Sequence, residues 1–106
     1  DPKAITISSI LRHVRKGHIK RLYSLINGNA EVIEGEVSSS SELIGPTIEE
    51  LNLDPGLRIG GIIRKEKFVM PTGETLIKEG DNIVIFSKPH CIHMVEQFFR
   101  ISPDYY

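Results

Sequence analysis

The sequence predicts an α+β fold: a small β-rich sandwich with a short helix, a C-terminal helix and a further helix at the N-terminus. Three observations carry that expectation. Strand-like segments separated by glycine turns fill the middle of the chain. Apolar stripes at helical spacing stand at both ends. Strands and helices are segregated along the chain, which argues against a doubly wound sheet.

The first element is read as a helix because Ile7, Ile10, Leu11 and Val14 fall at i, i+3, i+4 and i+7. Thr6 can cap its start, and Gly17 stands where a left-handed stop is expected. So narrow a stripe needs a cover, from the rest of the domain or from a second copy. Leu22 to Ile26 and Ala30 to Val37 come next as a hairpin, separated by Asn27-Gly28, the strongest short hairpin signal. Ser38 to Ser41 is a loop. Thr47, with Glu50 three residues later, forms a capping box for a short helix that Asp54-Pro55-Gly56 ends.

"LRIGGIIR" is then a strand, with Leu57, Ile59, Gly61 and Ile63 on one face and Arg58, Gly60, Ile62 and Arg64 on the other. Adjacent glycines inside a strand mark the close approach of a ligand or another backbone. Lys65-Glu66 turns the chain into Phe68 to Met70, and Pro71 ends that strand. Turns at Thr72-Gly73 and Gly80-Asp81 frame a polar segment before Ile83 to Phe86, a strand apolar on both faces. Such a strand is normally covered on both sides. The spacing of Ile92, Val95, Phe98 and Phe99 predicts a closing helix from His90.

The 106 residues suit one domain, burying roughly 65% of its unfolded surface. No apolar run approaches the ~20 residues of a membrane helix, and no signal-peptide pattern is visible. Cys91 is the single cysteine, so no internal disulfide framework exists and a reducing cytoplasm is expected. Charge is uneven: residues 1–30 hold six Lys/Arg against one acid, and the remainder hold seven against thirteen. The basic run Arg12 to Arg21 has no interleaved aromatics, so it reads as a helix end whose cations complement the dipole. A nucleic-acid module is the competing reading, and no nucleic-acid partner is expected.

Chemical motifs are sparse. Neither Gly-x-Gly-x-x-Gly nor P-loop spacing occurs, so no nucleotide cofactor is expected for this stretch. His90, Cys91 and His93 invite a metal reading, but a structural zinc needs four ligands, and no second cluster with suitable spacing is visible. Cys91 and His93, two apart, point away from each other on a helix, which argues against a nucleophile and base. Glu31, Glu34 and Glu36 read as a solvated strand face. No catalytic residues, no metal ligands and no enzyme activity are expected.

The run "ELIGPTIEELNLDPGLRIGGIIRKEKFVMPTGETLIKEGDNIVIF" resembles the C-terminal lobe of RCK-type domains, the TrkA C-terminal family. The specific part is the hairpin followed by Pro71-x-Gly73-x-Thr75 and, after four intervening residues, Gly80-Asp81 with an apolar strand. Upstream, "ITISSILRHVRKGHI" resembles the helix by which a nucleotide-binding lobe crosses over to this one. The resemblance implies residues 1–19 as a crossover helix from a preceding lobe and residues 20–106 as the RCK C-terminal domain. The chain departs from the family at Gly45-Pro46-Thr47, where a lysine usually follows the glycine, so a ligand contact from that loop does not carry over.

The resemblance further implies a cytoplasmic regulatory domain of a potassium-uptake system. Such a domain pairs subunits as a homodimer or higher oligomer and partners an integral membrane potassium-translocating subunit. NAD(H) or ATP would bind the preceding lobe. In relatives a cyclic dinucleotide can sit between two such lobes, which implies Arg58 and Pro71 as ligand-binding positions. Ile7, Ile10, Leu11, Val14 and Gly60 are the expected subunit-contact residues. Other cation transporters or channels carry similar lobes and form the alternative assignment.

Overall fold

The computed structural model describes residues 7–8, 19–25 and 29–99. Six strands, β1 (Ile7–Ser8), β2 (Ile19–Leu25), β3 (Glu31–Glu36), β4 (Leu57–Arg64), β5 (Lys67–Val69) and β6 (Asn82–Ser87), form one antiparallel sheet in the order β1-β2-β3-β6-β4-β5. Helices α1 (Ile48–Leu51) and α2 (Ile92–Phe98) complete the described elements, with a 3-10 turn at Pro89–Cys91 before α2. The α+β class is as the sequence predicts. The sandwich is not: β6 inserts between β3 and β4 and joins the two hairpins edge to edge, so they share one sheet instead of facing each other.

The inner face of that sheet follows the period-2 pattern. Ile33 of β3, Ile83 and Ile85 of β6, and Ile59 and Ile62 of β4 are buried together, in register as Ile33↔Ile85↔Ile59 and Gly35↔Ile83↔Ile62. Val95 of α2 and Phe99 at its C-terminal cap cover this face, with Val37, Leu43 and Ile77 from the connecting segments. At Gly35 a Cβ would stand 2.8 Å from the ring of Phe99, so glycine lets the aromatic ring sit directly on the backbone of β3. The outer face is different: Phe86 and Phe68 are 44% and 61% exposed.

One expectation about β4 is overturned. The pairing steps from Ile59↔Ile85 to Gly61↔Val84, which makes Gly60 the extra residue of a β-bulge. One inserted residue resets the alternation. Ile59 and Ile62 therefore both enter the core, while Ile63 is only half-buried and Gly61 faces outward beneath Phe68. Simple alternation groups Ile62 with Arg58 and Gly61 with Ile59, and the bulge breaks both pairings.

Local signals fare well. Thr47 Oγ1 accepts the Glu50 amide at 3.1 Å and Glu50 Oε1 accepts the Thr47 amide at 2.9 Å, the reciprocal capping box. The helix stops earlier than expected, with Asn52 left-handed at φ 50°. Lys65 and Glu66, at φ 51° and 66°, make the two-residue turn from β4 to β5. The closing helix is present, and Ser41 Oγ donates to the Phe98 carbonyl at 2.7 Å near its C-terminal end.

The polar segment between β5 and β6 returns the chain to the sheet centre. It is held by the bridges Ile44↔Ile77 and Thr47↔Leu76. Of the N-terminal helix, only Ile7 and Ser8 are described. They are extended, pairing with Leu25 and Ser24, so the helical reading is corrected there: backbone pairing to the edge of β2 prevails over the apolar stripe. Ile10, Leu11 and Val14, like the Asn27-Gly28 turn, lie outside the described residues.

Candidate functional site

Arg58 and Pro71, thirteen positions apart in the chain, line one cleft. One wall is Ile48 and Glu49 of α1 with Asn52 and Leu53 just beyond its end; the floor is the start of β4; the far lip is the Pro71-Thr72-Gly73 turn. The open space is about 430 Å³, within the size range of small-molecule sites.

Backbone hydrogen bonds build this cleft. The Glu49 amide donates to the Gly73 carbonyl at 2.8 Å and the Ile48 amide to the Thr75 carbonyl at 3.0 Å, which ties the Pro71 turn to the first turn of α1. The turn is also braced internally, with the Thr72 amide donating to Thr75 Oγ1 at 2.9 Å. Gly73 sits close against Glu49, where a Cβ would lie 3.0 Å from Oε1 and 3.3 Å from the Glu49 Cβ. The result is a shallow bowl with one exposed guanidinium, hydroxyl and amide groups from Thr72 and Asn52, and one carboxylate from Glu49. A guanidinium can grip a phosphate or carboxylate through two donors at once. Glu49 restricts the cleft to ligands that keep their negative charge on the Arg58 side.

Gly60 lies on the outer sheet face beside the cleft, and the group that approaches it is the chain's own Phe86 ring. Around it the outer face carries Val32, paired with Phe86, and Val84, paired with Gly61. Charges flank this apolar strip. Arg21 Nη1 donates to Glu34 Oε1 at 2.6 Å, and Lys20 Nζ lies 3.9 Å from Glu36. Glu34 and Glu36 are therefore cross-strand partners, and they occupy two cations of the basic run that a nucleic-acid surface would need.

The histidine–cysteine segment is rearranged relative to its sequence reading. His93 turns to Glu96, with Nδ1 3.4 Å from Oε1. His90 and Cys91 instead meet Asp54: the Cys91 thiol donates to Asp54 Oδ1 at 3.3 Å and His90 Nε2 lies 4.0 Å from the same oxygen. The Gly56 amide, hydrogen-bonded to Asp54 at 2.8 Å, and the thiol hold the Asp54 carboxyl below its usual range. Burial, reinforced by Asp54, pushes the Cys91 thiol up. No sequence signal joined Asp54 to Cys91, since 37 positions separate them.

A family model for the TrkA-C domain matches residues 32–100. The Trk system potassium uptake protein TrkA of Azorhizobium caulinodans is 37% identical over 106 residues, covering 100% of this chain and 23% of that protein. The protein of the same name from Haemophilus influenzae is 38% identical over 106 residues, covering 95% of this chain and 23% of its own length. The Trk system potassium uptake protein TrkA homolog 1 of Methanosarcina mazei is 27% identical over 99 residues, covering 93% of this chain and 22% of its own length. The chain thus spans under a quarter of the length of these curated relatives.

Proposed function

The chain belongs to the TrkA-C domain family, and from that premise we propose that it is the subunit-pairing, regulatory lobe of a potassium uptake protein. The observation that carries the pairing is the outer face of the sheet. Phe86 and Phe68, at 44% and 61% exposure, stand with Val84 and Val32 over the two glycines of β4. A second copy covering this face removes aromatic surface from water and answers why β6 is apolar on both sides. Sedimentation of the parent chain at tens of micromolar, an order-of-magnitude working range for weak dimers, is expected to show a dimer. Phe86→Ser is expected to shift the population to monomer without unfolding the chain, because Phe86 lies outside the core. A monomeric parent overturns the reading.

The cleft beside that face takes a phosphate-bearing effector, of the cyclic-dinucleotide kind, gripped by Arg58 against the Pro71 turn. Effector binding at a subunit contact changes how subunits pack, and a membrane potassium-translocating partner reads that change as a shift between open and closed populations. Calorimetric titration with a cyclic dinucleotide is expected to lose at least tenfold in affinity on Arg58→Ala. Nicotinamide and adenine nucleotides belong to a preceding lobe in this reading. NADH and ATP should therefore bind this chain no tighter than about millimolar, some −4 kcal/mol. This regulatory reading assigns the chain no catalysis of its own.

A further inference from the structure

We propose that Asp54, His90 and Cys91 form a binding site for a borderline-soft divalent cation of the zinc class. Their donor atoms all lie within 4.8 Å of one another. The Sγ to Oδ1 and Nε2 to Oδ1 separations are 3.3 and 4.0 Å. Zinc takes sulfur at about 2.3 Å and imidazole nitrogen or carboxylate oxygen at about 2.0–2.2 Å, so the edges of its tetrahedron are about 3.3–3.6 Å. The sulfur–oxygen edge already falls near that range. The two edges to His90 Nε2 close by a swing of its side chain, which is 71% exposed.

The chemistry of the donor set points the same way. One thiolate and one carboxylate balance a dication, and the imidazole completes a sulfur, nitrogen and oxygen set that suits zinc or cobalt and not magnesium or calcium. The surroundings hold the donors in place. Cys91 is fully buried, and Gly56 leaves room for its sulfur, where a Cβ would lie 2.7 Å from Sγ. The Gly56 amide donates to the same Asp54 Oδ1 at 2.8 Å and so fixes the carboxylate, as outer-shell partners orient ligands. The Cys91 amide donates to the Lys88 carbonyl at 2.9 Å and the Lys88 amide to the Gly56 carbonyl at 2.8 Å, which ties the two contributing loops together. On binding, the thiol proton now shared with Asp54 leaves to solvent and a sulfur–metal bond takes its place. The fourth position, on the exposed His90 side, is filled by water. The ion would clip the α1–β4 loop to the base of α2.

The test is titration of the reduced chain with cobalt(II), followed by its thiolate-to-cobalt charge-transfer absorption and by displacement with zinc(II). One cobalt per chain, bleached by zinc and indifferent to magnesium, is the expected result. His90→Ala and Asp54→Asn should each weaken binding at least tenfold, Cys91→Ser should abolish the sulfur band, and His93→Ala should change nothing. His90 is exposed, so its variant folds and reports ligation directly. Absence of the band at millimolar cobalt, binding unchanged in His90→Ala, or equal loss in His93→Ala each overturns the proposal.

Discussion

The guanidinium of Arg64 grips the carboxylate of Asp81 through two hydrogen bonds, Nε to Oδ1 at 2.9 Å and Nη2 to Oδ2 at 2.8 Å. Arg64 closes β4 and Asp81 precedes β6, so the pair locks the neighbouring ends of two central strands. Each group makes one further bond: Nη2 also donates to the Leu76 carbonyl at 2.9 Å, and Oδ2 also accepts the Lys78 amide at 2.9 Å. Asp81 is 1% exposed, which makes this a buried, bidentate and well-partnered ion pair.

Asp81→Asn is expected to destabilise the fold by about 3 kcal/mol, the low end for breaking a buried pair, because Arg64 is partly exposed. Burial works to raise the Asp81 carboxyl, but the hydrogen bonds from Arg64 and Lys78 and their charges outweigh it, so the pKa lies below the ordinary value. A lowered carboxylate contributes stability that is present above its unfolded pKa, about 3.9, and is lost as pH falls through the lower folded value. Urea denaturation should therefore show the parent's advantage over Asp81→Asn in full near neutrality and shrinking in strong acid. An unchanged difference would show that charge is not what matters at this site.

Gly35→Ala places a methyl against the buried ring of Phe99, 2.8 Å away. Overpacking of this kind costs about 1–3 kcal/mol. Phe99→Leu in the same chain should recover part of it, giving a coupling energy readable in a double-mutant cycle. Additive effects would mean that the ring moves aside freely.

At Gly60 a Cβ would meet the chain's own Phe86, and the residue's φ lies outside the left-handed region. Gly60→Ala is therefore expected to cost about 1 kcal/mol in the parent through displacement of that ring, and close to nothing in a Phe86→Ala background. Chemical denaturation of the four proteins measures the cycle. A Gly60→Ala variant as stable as the parent would show that the ring yields without loss.

Lys65 and Glu66 both adopt left-handed angles that cost an ordinary residue about 1–2 kcal/mol each. Replacing them by Asn-Gly, the preferred pair for such a hairpin, should raise stability by about 1 kcal/mol with binding and pairing unchanged. A rise in the midpoint of thermal unfolding checks this, and a fall would mean that one of the two side chains stabilises the turn.

Much of the fold was legible because it is written in neighbours. The Thr47 and Glu50 box, the Lys65-Glu66 turn, the strand segments of β3 and β6, and the Ile92, Val95 and Phe99 spacing each depend on residues within a turn or two. Local propensity and period suffice for such features. The TrkA-C resemblance came from the same stretch, and the matching family model covers residues 32–100.

The sequence by itself could not determine the relationships set by where β6 lands. Its insertion between β3 and β4 turned two expected layers into one sheet, and the bulge at Gly60 reset which isoleucines enter the core. Gly80-Asp81 read only as a turn until the topology placed Arg64, seventeen positions away, across from it. Asp54 met Cys91 only because the α1–β4 loop and the start of α2 close over the same end of the sheet. Nearby residues specify conformation through backbone sterics and capping, which act over a few positions. Which distant side chains share a site is decided by strand order and register, and those minimise exposed apolar surface over the whole chain at once.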